Sequence, residues 1–509
     1  MIQSASVLIA TGHVPDWPEV RANFGLAGAV LLLLTAACAP DPDREPTVLS
    51  LPDAVAVVSD TDAQRVQYIR LADQELLLSL DLRALAPEDC DPAIGEGVPE
   101  DAACLPFQTN PETVTDADGD HDELTLAYDR VAGDPWFERT AIERVRLSLS
   151  AATERPTTRW RLDALDFATN FPGESGICAN TNPCEPGADD NSAALEQALL
   201  CRLAQVHDFD VLAEDDTSVE LLIADSENDR VLTVHLDRST TCGVVTDVMN
   251  DTTVGGWAGR VPNDVDTVPL DDGGAGVLVT FRSTSGDVAT GGLAGGGNGS
   301  GVVMLFTPGS PGWEHAWTFP ASGFLNSPHD SSIVNSESGA HYLVGAHSDG
   351  RGAGFQDDWK LTTDGFGSIT IAALGGDVTG QPDYQRDLVV SATGTDAGLG
   401  FVRAVHPFLV GVPGTADPAG TDWILADSGC MAGEEACQHT PGIRAVKFDL
   451  DDPSNSDGSG AFNADRSEQT DQAMVASAPI GCGLSVPYIV DLLWFTGEAV
   501  PESGEGCPE

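Results

Sequence analysis

Three segments of the chain open with a pair of polar residues whose side chains could do chemistry. The pairs are His207-Asp208, Asn263-Asp264 and His329-Asp330. An imidazole can act as a nucleophile, as a general acid or base, or as a ligand for an anion or a metal. Each pair is followed, at the same separation, by an apolar strand pattern. The equal spacing indicates a repeated unit that presents one polar position several times.

The elements that would position these pairs are short strands joined in hairpins. Residues 57–60 and 223–225 form strand patterns that end in aspartate. Arg65 and Arg230 follow them at the same distance and open the next alternating strand. A looser copy of the longer unit starts at His406. The sequence therefore predicts a series of similar hairpins.

Repeated hairpins without helical patterns predict an all-β fold. The 54 Gly and 32 Pro residues suit many tight turns. Because a compact propeller blade takes about 40–50 residues, the length suits a β-propeller of about six to eight blades with loop insertions and disulfides. An array of two β-sandwich domains is the structural alternative. In a propeller, the residues that open each innermost strand face a central channel, so we expect His207 and His329 to converge there.

One part of the chain is similar to a known family of propellers. Residues 263–268, with the strand 277–282 after them, resemble a motif of the arylsulfotransferases. The His-Asp pairs at 207 and 329 are similar to the family's His-Asp motifs, and the resemblance covers residues 203–350. These enzymes move a sulfuryl group between phenols through a sulfated histidine.

The resemblance implies a set of catalytic residues. It makes His329 the nucleophile candidate and Arg282 the residue that neutralises the sulfuryl oxygens with its planar set of donors. It makes His207 an acid/base or a further oxyanion partner. Asn263 stands where the family has a histidine, which removes a charged donor from the set.

The polar pairs are compatible with three roles. In the first, the channel of a binding propeller presents them to a small-molecule or protein ligand. In the second, the protein is a sulfuryl transferase that moves sulfate between phenolic compounds through a histidine intermediate. In the third, each pair ties its own blade to the next by hydrogen bonds. Asn263 favours binding, whereas Arg282 and His329 favour transfer.

The N-terminal part has the pattern of an exported lipoprotein. Residues 24–37 form an apolar run of signal-peptide length, and Thr35-Ala36-Ala37-Cys38 resembles a lipobox whose cysteine is lipidated. An ordinary cleaved signal before a chance cysteine is the alternative. The predicted organisation is a signal peptide over 1–37, whose residues before about 20 look like a mis-assigned start, a lipidated tether over 38–47 and the propeller over 48–509. We expect a lipid-anchored protein on the periplasmic side or outer surface of the cell envelope.

The cysteine count fits an oxidising compartment. The chain has 11 cysteines, and lipidation of Cys38 leaves an even number for disulfides. Sequence cannot fix the connectivity, but neighbour spacing suggests one set of pairs. These are Cys90–Cys104, Cys178–Cys184, Cys201–Cys242, Cys430–Cys437 and Cys482–Cys507.

The charge is strongly acidic, with 80 Asp and Glu against 24 Lys and Arg. Such a field repels nucleic acid and anionic membrane surfaces, so we expect neither as a partner beyond the lipid anchor. Asp116, Asp118, Asp120 and Asp122 form a carboxylate cluster of the kind that calcium prefers, although a solvated acidic turn is the favoured explanation. The sequence contains no G-x-S-x-G, P-loop or H-E-x-x-H motif, which disfavours serine hydrolases, NTPases and zincins.

Overall fold

Short β-strands joined by turns make up nearly all the regular structure that the computed structural model describes. The described residues are, with short gaps, 55–86, 103–131, 139–147, 156–167, 202–284, 301–347 and 368–389, with 402–407, 422–427, 442–447, 487–493 and the single positions 90, 91, 93, 450 and 484. The predicted signal peptide, Cys38 and the tether lie outside this part of the chain. Within it, no helix is long and apolar enough to cross a membrane.

The first three sheets contain strands from both ends of the described chain. Blade 1 has the strand order Pro487–Leu493 (β24), Val55–Asp60 (β1), Arg65–Arg70 (β2) and Glu75–Asp81 (β3). Blade 2 has the order Ala103–Asp116 (β4), Gly119–Val131 (β5), Arg139–Leu147 (β6) and Thr157–Leu162 (β7). Blade 3 has the order Val206–Glu214 (β9), Ser218–Asp225 (β10), Arg230–Asp237 (β11), Cys242–Met249 (β12) and Ala164–Asp166 (β8), of which the last pairs in parallel.

The other three sheets follow one another along the chain. Blade 4 consists of Arg260–Pro269 (β13), Ala275–Thr284 (β14), Val302–Pro308 (β15) and Trp313–Phe319 (β16). Blade 5 consists of Pro328–Asn335 (β17), His341–His347 (β18), Ser368–Ala373 (β19) and Asp383–Val389 (β20). Blade 6 consists, among the described residues, of Val402–Pro407 (β21), Asp422–Asp427 (β22) and Gly442–Lys447 (β23). A short α-helix, Leu82–Leu85 (α1), follows β3, with Asp81 as its N-cap, and a 3-10 helix, Ser226–Asn228, follows β10.

The six sheets close into a ring. The innermost strand of each blade contacts the innermost strand of the next, in the order β4, β9, β13, β17, β21, β24 and back to β4. Strand β24 completes blade 1 beside β1, so the two ends of the domain are joined in one sheet. The predicted β-propeller is therefore confirmed, with five sheets of four or five strands and a sixth in which three strands are described.

The core lies between the blades because each sheet is apolar on both faces. In β10, Leu221 and Ile223 pack toward blade 2, whereas Leu222 and Ala224 pack toward blade 4. Successive side chains of a strand point to opposite faces, so one strand supplies two neighbouring cores. This explains why the strands read as nearly continuous apolar runs rather than as an alternation with polar residues.

The predicted hairpins with an aspartate and an arginine are confirmed. Strand β1 pairs with β2, and Arg65 Nη2 lies 3.2 Å from Asp60 Oδ2. Strand β10 pairs with β11, and Arg230 Nε lies 2.7 Å from Asp225 Oδ2. In both hairpins the pair joins the end of one strand to the start of the next.

One predicted disulfide is present and another receives partial support. Cys90 and Cys104 are bonded, with 5.6 Å between their Cα atoms. Cys242 is also in a disulfide, and Cys201, its predicted partner, lies outside the described residues. The three remaining predicted pairs, Cys178–Cys184, Cys430–Cys437 and Cys482–Cys507, lie outside the described residues as well.

Candidate functional site

Every innermost strand carries a β-bulge near its start, where extra residues leave the hydrogen-bonded ladder. In blade 3, Val206 pairs with Asp225 and Asp208 with Ala224, which leaves His207 as the extra residue. The same two-against-one pairing leaves Asn263 extra in blade 4 and His329 extra in blade 5. A bulge bends the strand and re-aims its extra side chain. The three predicted polar residues thus occupy one structural position.

The other three blades have a bulge at the same place. Phe107 lies in the bulge of β4, Arg403 in that of β21, and Tyr488 in that of β24. The register shows that the blade 6 copy of the unit opens at Arg403. The prediction that it starts at His406 was wrong, because His406 pairs with Ile424 farther along the hairpin.

Bulge side chains touch each other across two of the blade boundaries, between blades 2 and 3 and between blades 4 and 5. The rings of Phe107 and His207, from blades 2 and 3, have centroids 5.2 Å apart. Asn263 Nδ2, from blade 4, lies 3.2 Å from His329 Nδ1 and donates a 2.8 Å hydrogen bond to the His329 backbone oxygen. His207, Asn263 and His329 are all more than nine-tenths buried. We call Phe107, His207, Asn263 and His329 the bulge cluster.

The contact with Asn263 fixes the tautomer of His329. A backbone oxygen only accepts, so the Asn263 atom that binds it must be the amide nitrogen. That nitrogen donates, and the nearby His329 Nδ1 must then present its lone pair. In the neutral imidazole the proton is therefore on Nε2. This tautomer makes Nε2 a donor rather than a nucleophile.

The aspartates next to the bulges tie each blade to the next. Asp208 Oδ2 accepts a 2.8 Å hydrogen bond from the backbone N–H of Val265, one blade onward. Asp264 Oδ2 accepts the equivalent 3.0 Å bond from Ser331. These are the bonds expected if the pairs have a structural role. The aspartates therefore join the blades, and the bulge residue Asn263 adds a bond of its own to the backbone of the next blade.

Two more aspartates, Asp210 and Asp266, make a second row of hydrogen bonds to the next blade, two residues farther along the innermost strands. Asp210 Oδ2 accepts from the Thr267 backbone N–H at 3.1 Å and from the Thr267 hydroxyl. Asp266 Oδ2 accepts from the Ser332 hydroxyl at 3.3 Å. Because residues two apart lie on the same face of a strand, both rows face the same blade boundary.

The carboxyls of these rows are so close and so deeply buried that they resist ionisation. Burial, with the charges of Asp266 and Asp330, raises the pKa of Asp208 well above its usual value. Burial and the adjacent carboxyl of Asp208 do the same to the pKa of Asp264. The pKa of Asp266 is also raised well above its usual value, by burial and by Asp264, Asp330 and Asp210. This layer of acids next to the bulge cluster therefore holds protons above the ordinary range of aspartate.

Arg282 lies beside the start of blade 5. It follows Phe281, which pairs with Pro262, the residue before the bulge of blade 4. Thr61 and Ser226 hold the equivalent position in blades 1 and 3, because they follow the residues that pair with Pro487 and Val206, the residues before those bulges. Those two hydroxyls donate to the carbonyl oxygens of Pro106 and Pro262 in the next blade, at 2.8 and 2.6 Å. The register thus places Arg282 at a blade boundary, and its side chain is half-buried.

The predicted calcium cluster lies at the end of a hairpin. Asp116 ends β4 and pairs with Gly119 of β5. The side chains of Asp116, Asp118 and Asp120 lie outside the described residues. The carboxylate of Asp122 accepts a 3.0 Å hydrogen bond from Thr113, and burial raises its pKa. No group of three or more metal-binding side chains is arranged to hold an ion in the part of the chain that is described.

Comparisons with known proteins return remote structural similarity alone. No family model matches the chain, and no curated protein matches it. A functionally unknown protein from Desulfotomaculum acetoxidans is 8% identical, with 86% of this chain and 98% of that one covered at a TM-score of 0.38. A provisionally assigned 6-phosphogluconolactonase from Bacteroides uniformis is 11% identical, with 87% and 100% covered at a TM-score of 0.36. A Lactobacillus plantarum protein has the same identity and coverages at a TM-score of 0.35. Similarity this low does not bear on activity.

Sequence reasoning missed Phe107 as a neighbour of His207. It also missed that Arg403 and Tyr488 occupy the same bulge position as His207, Asn263 and His329. A local signal was present. Proline immediately precedes the bulge residue in four blades, at Pro106, Pro262, Pro328 and Pro487. Proline has no backbone N–H and collects at bulges and strand starts, so the recurrence marks the position where the ladder is interrupted.

Proposed function

We propose that this protein is an exported, lipid-anchored propeller of the cell envelope that binds a ligand at the bulge cluster in its central channel. The cluster combines an aromatic ring, an amide and two imidazoles from four successive blades. A mixture of apolar surface and a few convergent polar groups is typical of a small-molecule site. The ring of six equivalent bulges supports a site that is assembled by the whole propeller rather than by one blade.

The amide of Asn263 is the observation that carries this proposal. It donates to His329 Nδ1 and to the His329 backbone oxygen, so it holds the imidazole as an Nε2 donor. A donor of fixed orientation suits the recognition of an oxygen or nitrogen acceptor on a ligand. Covalent transfer through His329 would need a deprotonated ring nitrogen aimed at the sulfur atom. Asn263 occupies Nδ1 and places the proton on Nε2, which argues against the transferase alternative.

The buried carboxyls next to the bulge cluster also argue against the transferase alternative. A sulfuryl group carries negative charge, and its transfer needs cationic donors around the oxygens. The bulge cluster instead lies next to Asp208, Asp264 and Asp330, all of them buried. Because burial raises the pKa values of Asp208 and Asp264, these carboxyls resist ionisation, and they offer no positive charge to the oxygens of an anionic donor.

Ligand binding and a transferase assay on the same variants test the proposal. The full mature chain is screened against phenols, aryl sulfates, sugars and amino acids by thermal shift, and the compounds that raise Tm are titrated. We expect His329→Ala and Asn263→Ala to weaken binding by about 1–3 kcal/mol, or roughly 5- to 150-fold. The matched control is His315→Ala, because His315 is exposed on the outermost strand of blade 4 and should leave affinity unchanged.

Two outcomes would overturn the proposal. The first is phenol release from an aryl sulfate in the presence of a phenol acceptor, if this activity disappears in His329→Ala. The second is a ligand whose affinity is the same in the wild type and in both channel variants. Nitrogen-15 NMR of the imidazoles adds a direct check, since His329 should show its proton on Nε2 and lose this preference in Asn263→Ala.

A further inference from the structure

The residue before the bulge is held differently in blade 3 than in blades 2 and 4. In blades 2 and 4 this residue is a proline, and its carbonyl oxygen accepts from the hydroxyl of Thr61 or Ser226 in the blade before it. In blade 3 the residue is Val206, which has a backbone N–H. This N–H donates a 3.2 Å hydrogen bond to Thr140 Oγ1 of blade 2. A hydroxyl of the preceding blade therefore accepts at this boundary, whereas it donates at the other two.

The hydroxyl of Thr140 can accept this bond because its own proton has another partner. Thr140 pairs with Asp129 across the β5–β6 ladder, so the two side chains lie next to each other on one face of the sheet. The hydroxyl donates to Asp129 Oδ1. A hydroxyl has one proton and two lone pairs, so one that donates to a carboxyl oxygen presents a lone pair to another donor. Asp129 thus orients Thr140 to accept from Val206.

Thr140 makes a second bond to the same segment of blade 3. Its backbone N–H donates to the Leu203 backbone oxygen at 3.3 Å. Leu203 and Val206 are both buried in the core between blades 2 and 3. Asp129 and Thr140 are each only 1% exposed, so water has little access to replace these bonds. Thr140 therefore holds the segment that leads into the bulge at two points.

His207 lies between two residues that are bonded to the blades on either side. Val206 before it is bonded to Thr140 of blade 2, and Asp208 after it is bonded to the backbone of blade 4. A bulge residue has left the ladder, so its aim depends on how the residues on either side are held. Blade 2 also supplies Phe107, whose ring centroid lies 5.2 Å from that of His207. One blade thus holds both the backbone before His207 and the ring that His207 contacts.

We propose that Thr140, oriented by Asp129, is a positioning residue of the bulge cluster and holds the His207 imidazole against Phe107. This role rests on the proposed function, because the cluster is the proposed binding site, but it is measured on the protein without ligand. Loss of the Thr140 hydroxyl removes the acceptor for the Val206 N–H, and the segment before the bulge can then move. His329 is held from blade 4 by Asn263 and should not respond.

Nuclear magnetic resonance of the full mature chain without ligand, labelled at its histidines, tests this role. The ring current of Phe107 should displace the His207 signals, and Phe107→Leu gives the reference value without this displacement. Thr140→Val replaces the hydroxyl by a methyl group of similar size. We expect it to move the His207 signals toward the reference value and to leave the His329 signals unchanged. Thr140→Ser retains the hydroxyl and should keep the His207 signals at their wild-type positions.

Thr158→Val is the matched control, on the outermost strand of the same blade. The Thr158 hydroxyl also donates to a carboxyl oxygen, Glu143 Oε1 at 2.6 Å, but this bond stays within blade 2. The control should leave the signals of both histidines in place. Hydrogen exchange gives a second measurement, because the Val206 amide should exchange about 2- to 12-fold faster in Thr140→Val, the factor for one hydrogen bond of ordinary net strength. The same amide should exchange at the wild-type rate in Thr158→Val.

His207 signals that stay at their wild-type positions in Thr140→Val would refute the positioning role. A Thr140→Ser variant that shifts them as far as Thr140→Val would also refute it, as would equal shifts of His207 and His329, which would report a general loosening of the ring. If Thr140→Val does not fold, hydrogen exchange of the wild type decides, and a Val206 amide that exchanges like an unprotected one would overturn the proposal. No ligand is involved, so a failure here is distinguishable from a failure of the binding proposal.

Discussion

Replacement of Arg230 by methionine should destabilise the protein more than any other change in the repeated hairpins. Arg230 and Asp225 are both completely buried, with Nε and Oδ2 2.7 Å apart. Arg230 also donates to the backbone oxygen of Arg202 at 3.3 Å, and its guanidinium lies 5.1 Å from the centre of the Phe167 ring. Methionine would fill much of the space but would leave Asp225 in the core without its counter-charge.

The magnitude follows from this burial. Removal of one partner from a buried ion pair typically costs about 3–5 kcal/mol, because the other charge remains without compensation. Burial already raises the pKa of Asp225, and the charge of Arg230 opposes this shift. Without Arg230 the pKa of Asp225 would rise further and the group would bind a proton. The loss should therefore be largest near neutral pH and should shrink as the pH falls toward about 4.

The equivalent hairpin of blade 1 supplies a matched control. Arg65 lies 3.2 Å from Asp60, but a quarter of its side chain is exposed, so solvent can partly replace it. We expect Arg65→Met to cost about 1–3 kcal/mol, the range for a hydrogen bond to a charged group. The double variant Asp225→Asn/Arg230→Met should recover part of the loss of the single variant, because it removes the buried charge as well. Urea unfolding at pH 7 and pH 4.5 measures all four proteins.

Equal losses in Arg230→Met and Arg65→Met would refute the argument from burial. A loss in Arg230→Met that does not change between the two pH values would also contradict it, since the remaining carboxyl would then not be the source of the cost.

Two further predictions concern the anchor and the outer edge of blade 3. Cys38→Ser should move the protein from the membrane fraction to the soluble fraction and abolish labelling with a fatty acid, whereas unchanged fractionation would exclude lipidation at this residue. Gly243→Ala should cost about 1–3 kcal/mol in urea unfolding, because its Cβ would clash with Val234 Cγ1 and approach Leu162 Cδ1 to 2.7 Å in a packed core. Gly255→Ala, where nothing lies within 4 Å, should leave the unfolding free energy nearly unchanged.

The fold could be predicted because its signal repeats. The Asp-Arg frame at Asp60 and Asp225 appears in two blades, and the polar pairs at 207, 263 and 329 recur with one spacing. Each copy is weak alone, but equal spacing is hard to produce except by a repeated unit. Closure by β24 beside β1 was not visible, because it joins strands from the two ends of the domain and no local pattern encodes that pairing.

The site could be predicted in part. His207, Asn263 and His329 were found because a polar residue followed by aspartate is conspicuous at the start of an apolar strand. Phe107 was missed because a phenylalanine in a strand is ordinary, and only the pairing register shows that it stands in the bulge. The contact that fixes the tautomer of His329 joins two blades, so it depends on tertiary structure that spacing does not contain.

In each innermost strand, different residues hold the blades together and form the candidate site. This explains how a site can change while the propeller stays closed. The aspartates after the bulges bind the backbone of the next blade, and a change in them would disturb the ring. The bulge residue has left the ladder, so strand pairing within the blade does not depend on its type. This freedom is visible in the chain itself, where the six positions hold residues as different as Phe107, Asn263 and Arg403. A different residue at 263 is therefore a change that the fold can accept, and with asparagine there the amide nitrogen contacts His329 Nδ1.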